Sequence, residues 1–85
     1  MGFDSPEVVK VINNLVSVYF AQNKYSEAES ILKQALVISE KTFGAGSLKV
    51  AGVLENLAKV YKKTGRAGEG KKAEERARQI IKKNK

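Results

Sequence analysis

The sequence predicts an all-α protein built as two tandem antiparallel helix hairpins, four helices in all, stacked one on the other. Three observations lead there. An offset of 42 residues relates the two halves of the chain: Asn14-Leu15 returns as Asn56-Leu57, and Ser5 with Ser47, Val8 with Val50, Val11 with Val53, Val18 with Val60, Tyr19 with Tyr61, Glu27 with Glu69, Ala35 with Ala77 and Ile38 with Ile80 pair at the same distance. A fixed period of this length marks a repeat architecture. Within each copy the apolar residues recur at steps of three and four, the helical spacing, and strict alternation is absent. Helix-starting and helix-stopping residues fall between those stretches.

The first helix is expected over 6–23, with Ser5 as N-cap and Pro6 in the first turn, where the missing N–H costs nothing. Its apolar positions are Val8, Val11, Ile12, Leu15, Val18 and Tyr19. A short turn at Lys24-Tyr25 leads to a second helix over 27–42, where Ser26 and Glu29 have the spacing of a capping box. Its apolar positions are Ala28, Ile31, Leu32, Ala35, Leu36 and Ile38. The link Phe43-Gly44-Ala45-Gly46-Ser47 joins this hairpin to the next. Gly44 and Gly65 follow apolar stretches where left-handed glycines end helices. The third helix runs over 48–63 and, after a turn at Arg66-Ala67, the fourth over 69–83. Residues 1–85 thus form one domain, with repeat one at about 5–46 and repeat two at about 47–85.

The last helix departs from its counterpart: Ala28 becomes Gly70, Leu32 becomes Glu74 and Leu36 becomes Arg78, leaving only Ala73, Ala77, Ile80 and Ile81 apolar. A stack of hairpins buries each face against the next, so a terminal element needs a polar outer face, and this helix is predicted to be that cap. At the other end Val9, Val16 and Phe20 suggest a first helix able to accept a preceding hairpin. Stacks usually need three repeats and this chain has two. It is therefore expected either to be the C-terminal part of a longer array or to form a homo-oligomer through the exposed first-helix face.

Composition narrows the chemistry. The 85 residues include no Cys and no His, which removes disulfides, thiol nucleophiles, imidazole bases and the usual zinc ligands. No enzymatic activity, metal or cofactor is expected. No apolar run reaches the roughly 20 residues of a membrane-spanning helix, and the start Met1-Gly2-Phe3-Asp4 lacks a secretory layout. A soluble, cytoplasmic chain is expected. Gly2 does not fit lipidation, because Pro6 stands where Ser or Thr is required, and is read as a leftover of expression. The net charge of +7 is uneven: residues 1–42 carry four Lys against five acids, and residues 43–85 carry twelve Lys or Arg against four. Gly44-Ala45-Gly46 lacks the Lys-Ser or Lys-Thr of a phosphate loop. Glu27, Glu29, Glu69, Glu74 and Glu75 lie in first turns or at spacings for surface pairs with lysines. Tyr19 and Tyr61 fall in the apolar period and are expected in the core.

The segments Asn14-Leu15-Val16-Ser17-Val18-Tyr19, Lys24-Tyr25-Ser26-Glu27-Ala28-Glu29 and Ala35-Leu36 with Ile38 resemble a tetratricopeptide repeat. The 42-residue period and the Phe43-Gly44 link resemble the repeats of kinesin light chains and their bacterial relatives. The resemblance spans about residues 5–83 and implies a right-handed α-solenoid fragment that acts as a protein-interaction scaffold. In the proteins it resembles, first helices line a concave groove and an Asn at the place of Asn14 and Asn56 bonds the backbone or terminal carboxylate of a bound peptide.

The matching stripe here is Lys10, Asn14, Ser17 and Ala21 in copy one and Gly52, Asn56, Lys59 and Lys63 in copy two, whose steps of four, three and four keep each set on one side of its helix. An amide both donates and accepts, as peptide recognition requires. Lys10, Lys59 and Lys63 add charge suited to an acidic or carboxylate-bearing segment. The candidate groove residues are therefore Lys10, Asn14, Ser17, Asn56, Lys59 and Lys63. Local satisfaction of both Asn amides is the plain alternative. A nucleic-acid or membrane role for the basic last helix, through Lys71, Lys72, Arg76, Arg78, Lys82, Lys83 and Lys85, is disfavoured because no aromatic residue interleaves those cations. An engineered or excised repeat without a ligand of its own stays open beside these readings.

Overall fold

The computed structural model describes residues 6–84, with side chains from residue 10 onward. Four helices follow in order: α1 Pro6–Ala21, α2 Tyr25–Phe43, α3 Leu48–Lys63 and α4 Ala67–Lys83. Consecutive helices pack together, α1 on α2, α2 on α3 and, most closely, α3 on α4. The whole measures 31 × 29 × 16 Å, a slab so thin that every core residue lies within about one helix diameter of water.

Both hairpin turns are three residues long, and the 42-residue period makes them copies of one device. After α3, the Arg66 N–H donates to the Tyr61 carbonyl at 2.7 Å and the Gly65 N–H to that of Lys62 at 3.5 Å, with Gly65 at φ 77°. This pattern is the Schellman motif, which needs a left-handed residue just past the helix. After α1 the same bonds run from Lys24 to Tyr19 at 2.8 Å and from Asn23 to Phe20 at 3.1 Å, with Asn23 at φ 59°. Asn tolerates that conformation better than other side chains, so Asn23 does the work of Gly65. Gly44, at φ 93°, ends α2 as expected.

Three expectations need correction or fall away. The capping box at Ser26–Glu29 does not form: the Ala28 N–H already donates to the Lys24 carbonyl at 3.1 Å, so α2 begins at Tyr25 and Ser26 lies inside its first turn. The same early start, with the Gly70 N–H on the Arg66 carbonyl at 3.0 Å, places the beginning of α4 at Ala67. Ser5, the expected cap of α1, lies outside the described residues, whereas its counterpart Ser47 caps α3 by accepting from the Lys49 N–H at 3.0 Å.

Two clusters share the core. The first joins Val16, Ala28, Leu32 and Ala35 to Val53, Leu57 and Val60, with Ile12, Tyr19, Phe20, Tyr25, Ile31, Leu36 and Tyr61 packed around it, and so cements hairpin to hairpin. The second joins Val50, Ala51, Leu54 and Ala58 to Ala73, Ala77 and Ile80 inside the second hairpin. Gly70 explains the tight α3–α4 approach: a Cβ there would sit 3.1 Å from the Ala58 carbonyl oxygen. Its change from Ala28 thus serves packing as well as capping. Ser39 on α2 is fully buried and its Oγ has no hydrogen-bond partner. A buried unpaired hydroxyl is destabilising, so Ser39→Ala should stabilise the fold by about 1 kcal/mol, read as a higher urea midpoint with an unchanged slope.

The expectation for the open front face is reversed in detail. Val16 is buried and Phe20 half-buried, both in or against the core cluster that joins the hairpins; Val9 lies among the residues whose side chains are not described. Among the described side chains, the large apolar residues that α1 leaves in water are Val11, Leu15 and Val18. Helix α1 is apolar on both sides and, among the described residues, packs on α2 alone, so the side turned to α2 is buried and Val11, Leu15 and Val18 on the other side are exposed.

Candidate functional site

Of the six expected groove residues, Lys10, Asn14 and Ser17 are exposed on α1, Lys59 and Lys63 are exposed on α3, and Asn56 is half-buried. The two sets do not meet directly, because α1 and α3 make no backbone contact and each packs on α2. Among the described residues the amides of Asn14 and Asn56 engage no protein group, and Lys10, Lys59 and Lys63 pair with no carboxylate. Ser17 Oγ donates to the carbonyl of Asn13 at 3.2 Å, a bond within its own helix. Lys59 borders a hollow of about 360 Å³ with Glu55, Glu74, Ala77, Arg78 and Ile81. Two carboxylates there offset its two cations, so the positive field expected around Lys59 is locally balanced.

Charged groups form the expected pairs at helical spacing and, beyond them, contacts between distant parts of the chain. Glu29 and Lys33 form an i,i+4 pair at 3.0 Å, but Glu29 also accepts a two-pronged contact from Arg66, one arm at 3.2 Å, across 37 residues of sequence. The guanidinium of Arg66 lies 4.9 Å over the ring of Tyr61. This clamp ties the second hairpin's turn to α2 of the first, and Arg76 with Glu40 adds a further bond between α4 and α2. At the far end Asn84 donates to the Gly46 carbonyl at 3.0 Å, holding the end of α4 to the link. The separation in sequence of these pairs hides them from any local pattern.

The hydrogen bond from Arg66 holds the Glu29 carboxyl below its ordinary 4.5; partial burial opposes this and Lys33 reinforces it. A carboxyl lowered by folding contributes stability that is complete above its unfolded value and is lost as pH falls through the folded value. Wild type should therefore be more stable than Glu29→Gln at pH 7, with the gap closing below 4.5. Urea titrations at neutral pH and at about pH 3 check this.

The basic last helix spends part of its charge internally. Arg76 binds Glu40 and Arg78 binds Glu75 at 2.8 Å, while Lys71, Lys72, Lys82 and Lys83 stay exposed and carry no aromatic neighbour on α4. Among the described residues no helix is long and apolar enough to cross a membrane. The outer side of α4 holds the Lys62–Glu74 pair at 2.7 Å, both side chains substantially exposed. Water thus covers the positions that Leu32 and Leu36 fill in the first hairpin.

The architecture of paired antiparallel helices with repeated Schellman turns agrees with the comparison of the sequence with known families. The tetratricopeptide repeat family matches residues 7–83. Proteins built from these repeats generally serve as non-enzymatic scaffolds for protein–protein interaction. On the period, the fold and this match together, the chain belongs to the tetratricopeptide repeat family.

Proposed function

We propose that this chain is an interaction module of kinesin-light-chain-like type that holds an acidic or carboxylate-bearing peptide segment along α1 and α3, through Lys10, Asn14, Ser17, Asn56, Lys59 and Lys63. The observation that supports it is the state of the two Asn side chains. Each stands at the same place in its repeat and, among the described residues, neither spends its amide on a protein partner. Local satisfaction, the plain alternative, has no bond to rest on. An amide free to donate and accept can bracket a peptide unit, and unpaired lysines beside it add attraction for carboxylates. With the charge around Lys59 balanced, Lys10 and Lys63, at opposite ends of the stripe, are the cations left to attract carboxylates of the ligand. With two repeats the groove is short and binding is weak.

A fluorescent poly-acidic peptide with a free C-terminus, titrated at fixed salt, tests this reading. The Asn14→Ala, Asn56→Ala double variant should bind at least about tenfold more weakly with its helicity intact. Equal affinity for both proteins removes the groove assignment. The basic-helix reading gives a different signature, a steep loss with salt that the two Asn changes leave alone.

A further inference from the structure

The most consequential unpartnered feature lies on α1. Val11, Leu15 and Val18 are 63%, 39% and 49% exposed, while their counterparts one period later, Val53, Leu57 and Val60, are 1%, 3% and 0% exposed. The same three-residue stripe is therefore solvent-facing in one copy and covered by a neighbouring hairpin in the other. Steps of four and three place the stripe on a single side of the helix. A contiguous apolar patch of this kind marks an association surface.

Charge and shape decide what can cover it. In the fold, Val53, Leu57 and Val60 are covered by the first hairpin, where α2 packs on α3 and Ala28, Leu32 and Ala35 share their core cluster with Val16. The equivalent surface at the other end of the molecule is α4, where Leu32 is replaced by Glu74 and Leu36 by Arg78. Docking α1 of one copy on α4 of another would bury Glu74 and Arg78 against valine and leucine, and unpaired charge is costly to desolvate. The two halves also differ in charge. Residues 1–42 are nearly neutral and residues 43–85 are strongly basic, so joining copies by their first hairpins keeps the two basic halves at opposite ends.

We infer that two copies of this chain associate head to head, α1 against α1 in antiparallel, through Val11, Leu15 and Val18. In a two-fold interface a residue on the axis meets itself and the others exchange. Leu15, the middle member of the stripe, meets Leu15, and Val11 meets Val18. Antiparallel packing also sets Lys10 of one copy beside the α1 C-terminus of the other, the negative end of a helix whose last turn carries no basic residue of its own. One helix stripe per copy gives a small interface, below about 1,200 Å² in total. The dimer is accordingly weak and concentration-dependent.

Sedimentation equilibrium across a concentration series to about 1 mM, above the range expected for so small an interface, is the test. The mass of the intact chain should rise from 9.3 kDa toward twice that value and stop. Leu15→Glu, at an exposed position, should keep the circular dichroism of the wild type and weaken dimerisation at least about hundredfold. Val37→Glu, which changes a still more exposed apolar residue on α2, should dimerise like the wild type. Because the chain has no cysteine, Leu15→Cys under mild oxidation should give a covalent dimer and Gln79→Cys, at an exposed position on α4 away from the α1 face, should not. A mass fixed at 9.3 kDa to the top of the series, growth beyond the dimer, dimerisation unaffected by Leu15→Glu, or cross-linking at Gln79→Cys in preference to Leu15→Cys would each overturn the proposal.

Discussion

Leu32→Ala is expected to unfold a large fraction of the chain at room temperature. Leu32 is fully buried at the centre of α2, the helix that packs on both α1 and α3. Truncating a buried leucine costs about 2–5 kcal/mol, the upper end applying where the surroundings cannot collapse into the space. Here they cannot. Its neighbours along α2 are Ala28 and Ala35, already minimal, and across the hairpin boundary stand Val53 and Val60, whose branched side chains have few alternative rotamers. A domain of this size holds only about 5 kcal/mol in total. The melting midpoint should fall by about 15 °C or more, followed by circular dichroism. The repeat supplies its own control. Glu74 occupies the same register position in the second copy, in an ion pair exposed on both sides, and Glu74→Ala should change stability by no more than about 0.5 kcal/mol. Similar losses at both positions would refute the account of α4 as a water-facing cap.

Glu74→Leu combined with Arg78→Leu should convert the chain into an open polymer. The two substitutions restore on α4 the residues that α2 carries at Leu32 and Leu36. They remove the Lys62–Glu74 and Glu75–Arg78 contacts, which are exposed and so worth little. Each molecule then presents a stacking face on α4 and, unchanged, Val11, Leu15 and Val18 on α1. Because the two faces are different, each copy can bind the next head to tail, and such contacts propagate without closing. Light scattering should show mass growing with concentration and no plateau. Adding Leu15→Glu to the same chain should abolish the growth by removing the receiving face. A double variant that behaves like the wild type would mean that Glu74 and Arg78 do not separate a capping helix from a stacking one.

Much of this was legible in the sequence because repeats are read from local rules. Apolar residues at steps of three and four produced helices within two residues of those observed, and the period alone carries Gly65 back to Asn23 as the left-handed residue ending the first helix. Asn23 is nonetheless harder to read as a helix end than Gly65, since Asn is a weaker marker of the left-handed region than Gly. The capping box failed for a related reason: the turn geometry after Asn23 starts helical bonding at Lys24, ahead of Ser26. Of the candidate groove, the identity and register of Asn14 and Asn56 came from the repeat. The balanced charge around Lys59 did not, because Glu74 and Arg78 reach it from another helix.

The sequence by itself determined the class of fold, the number of helices, the place of the turns between them to within about two residues and the polar character of the last helix, all of which depend on neighbours within a turn or on one repeated spacing. Only the tertiary structure decided which side of α1 is buried. Val11, Leu15 and Val18 and the set Ile12, Val16 and Phe20 are both apolar at helical spacing, and periodicity cannot rank two such stripes on one helix. Val16 is buried, with Ile12 and Phe20 half-buried against the same cluster, because α2 lies on that side. The clamp of Glu29 by Arg66 and the close approach at Gly70 were settled in the same way. Each joins residues that only the stacking of one hairpin or helix on another brings within contact distance.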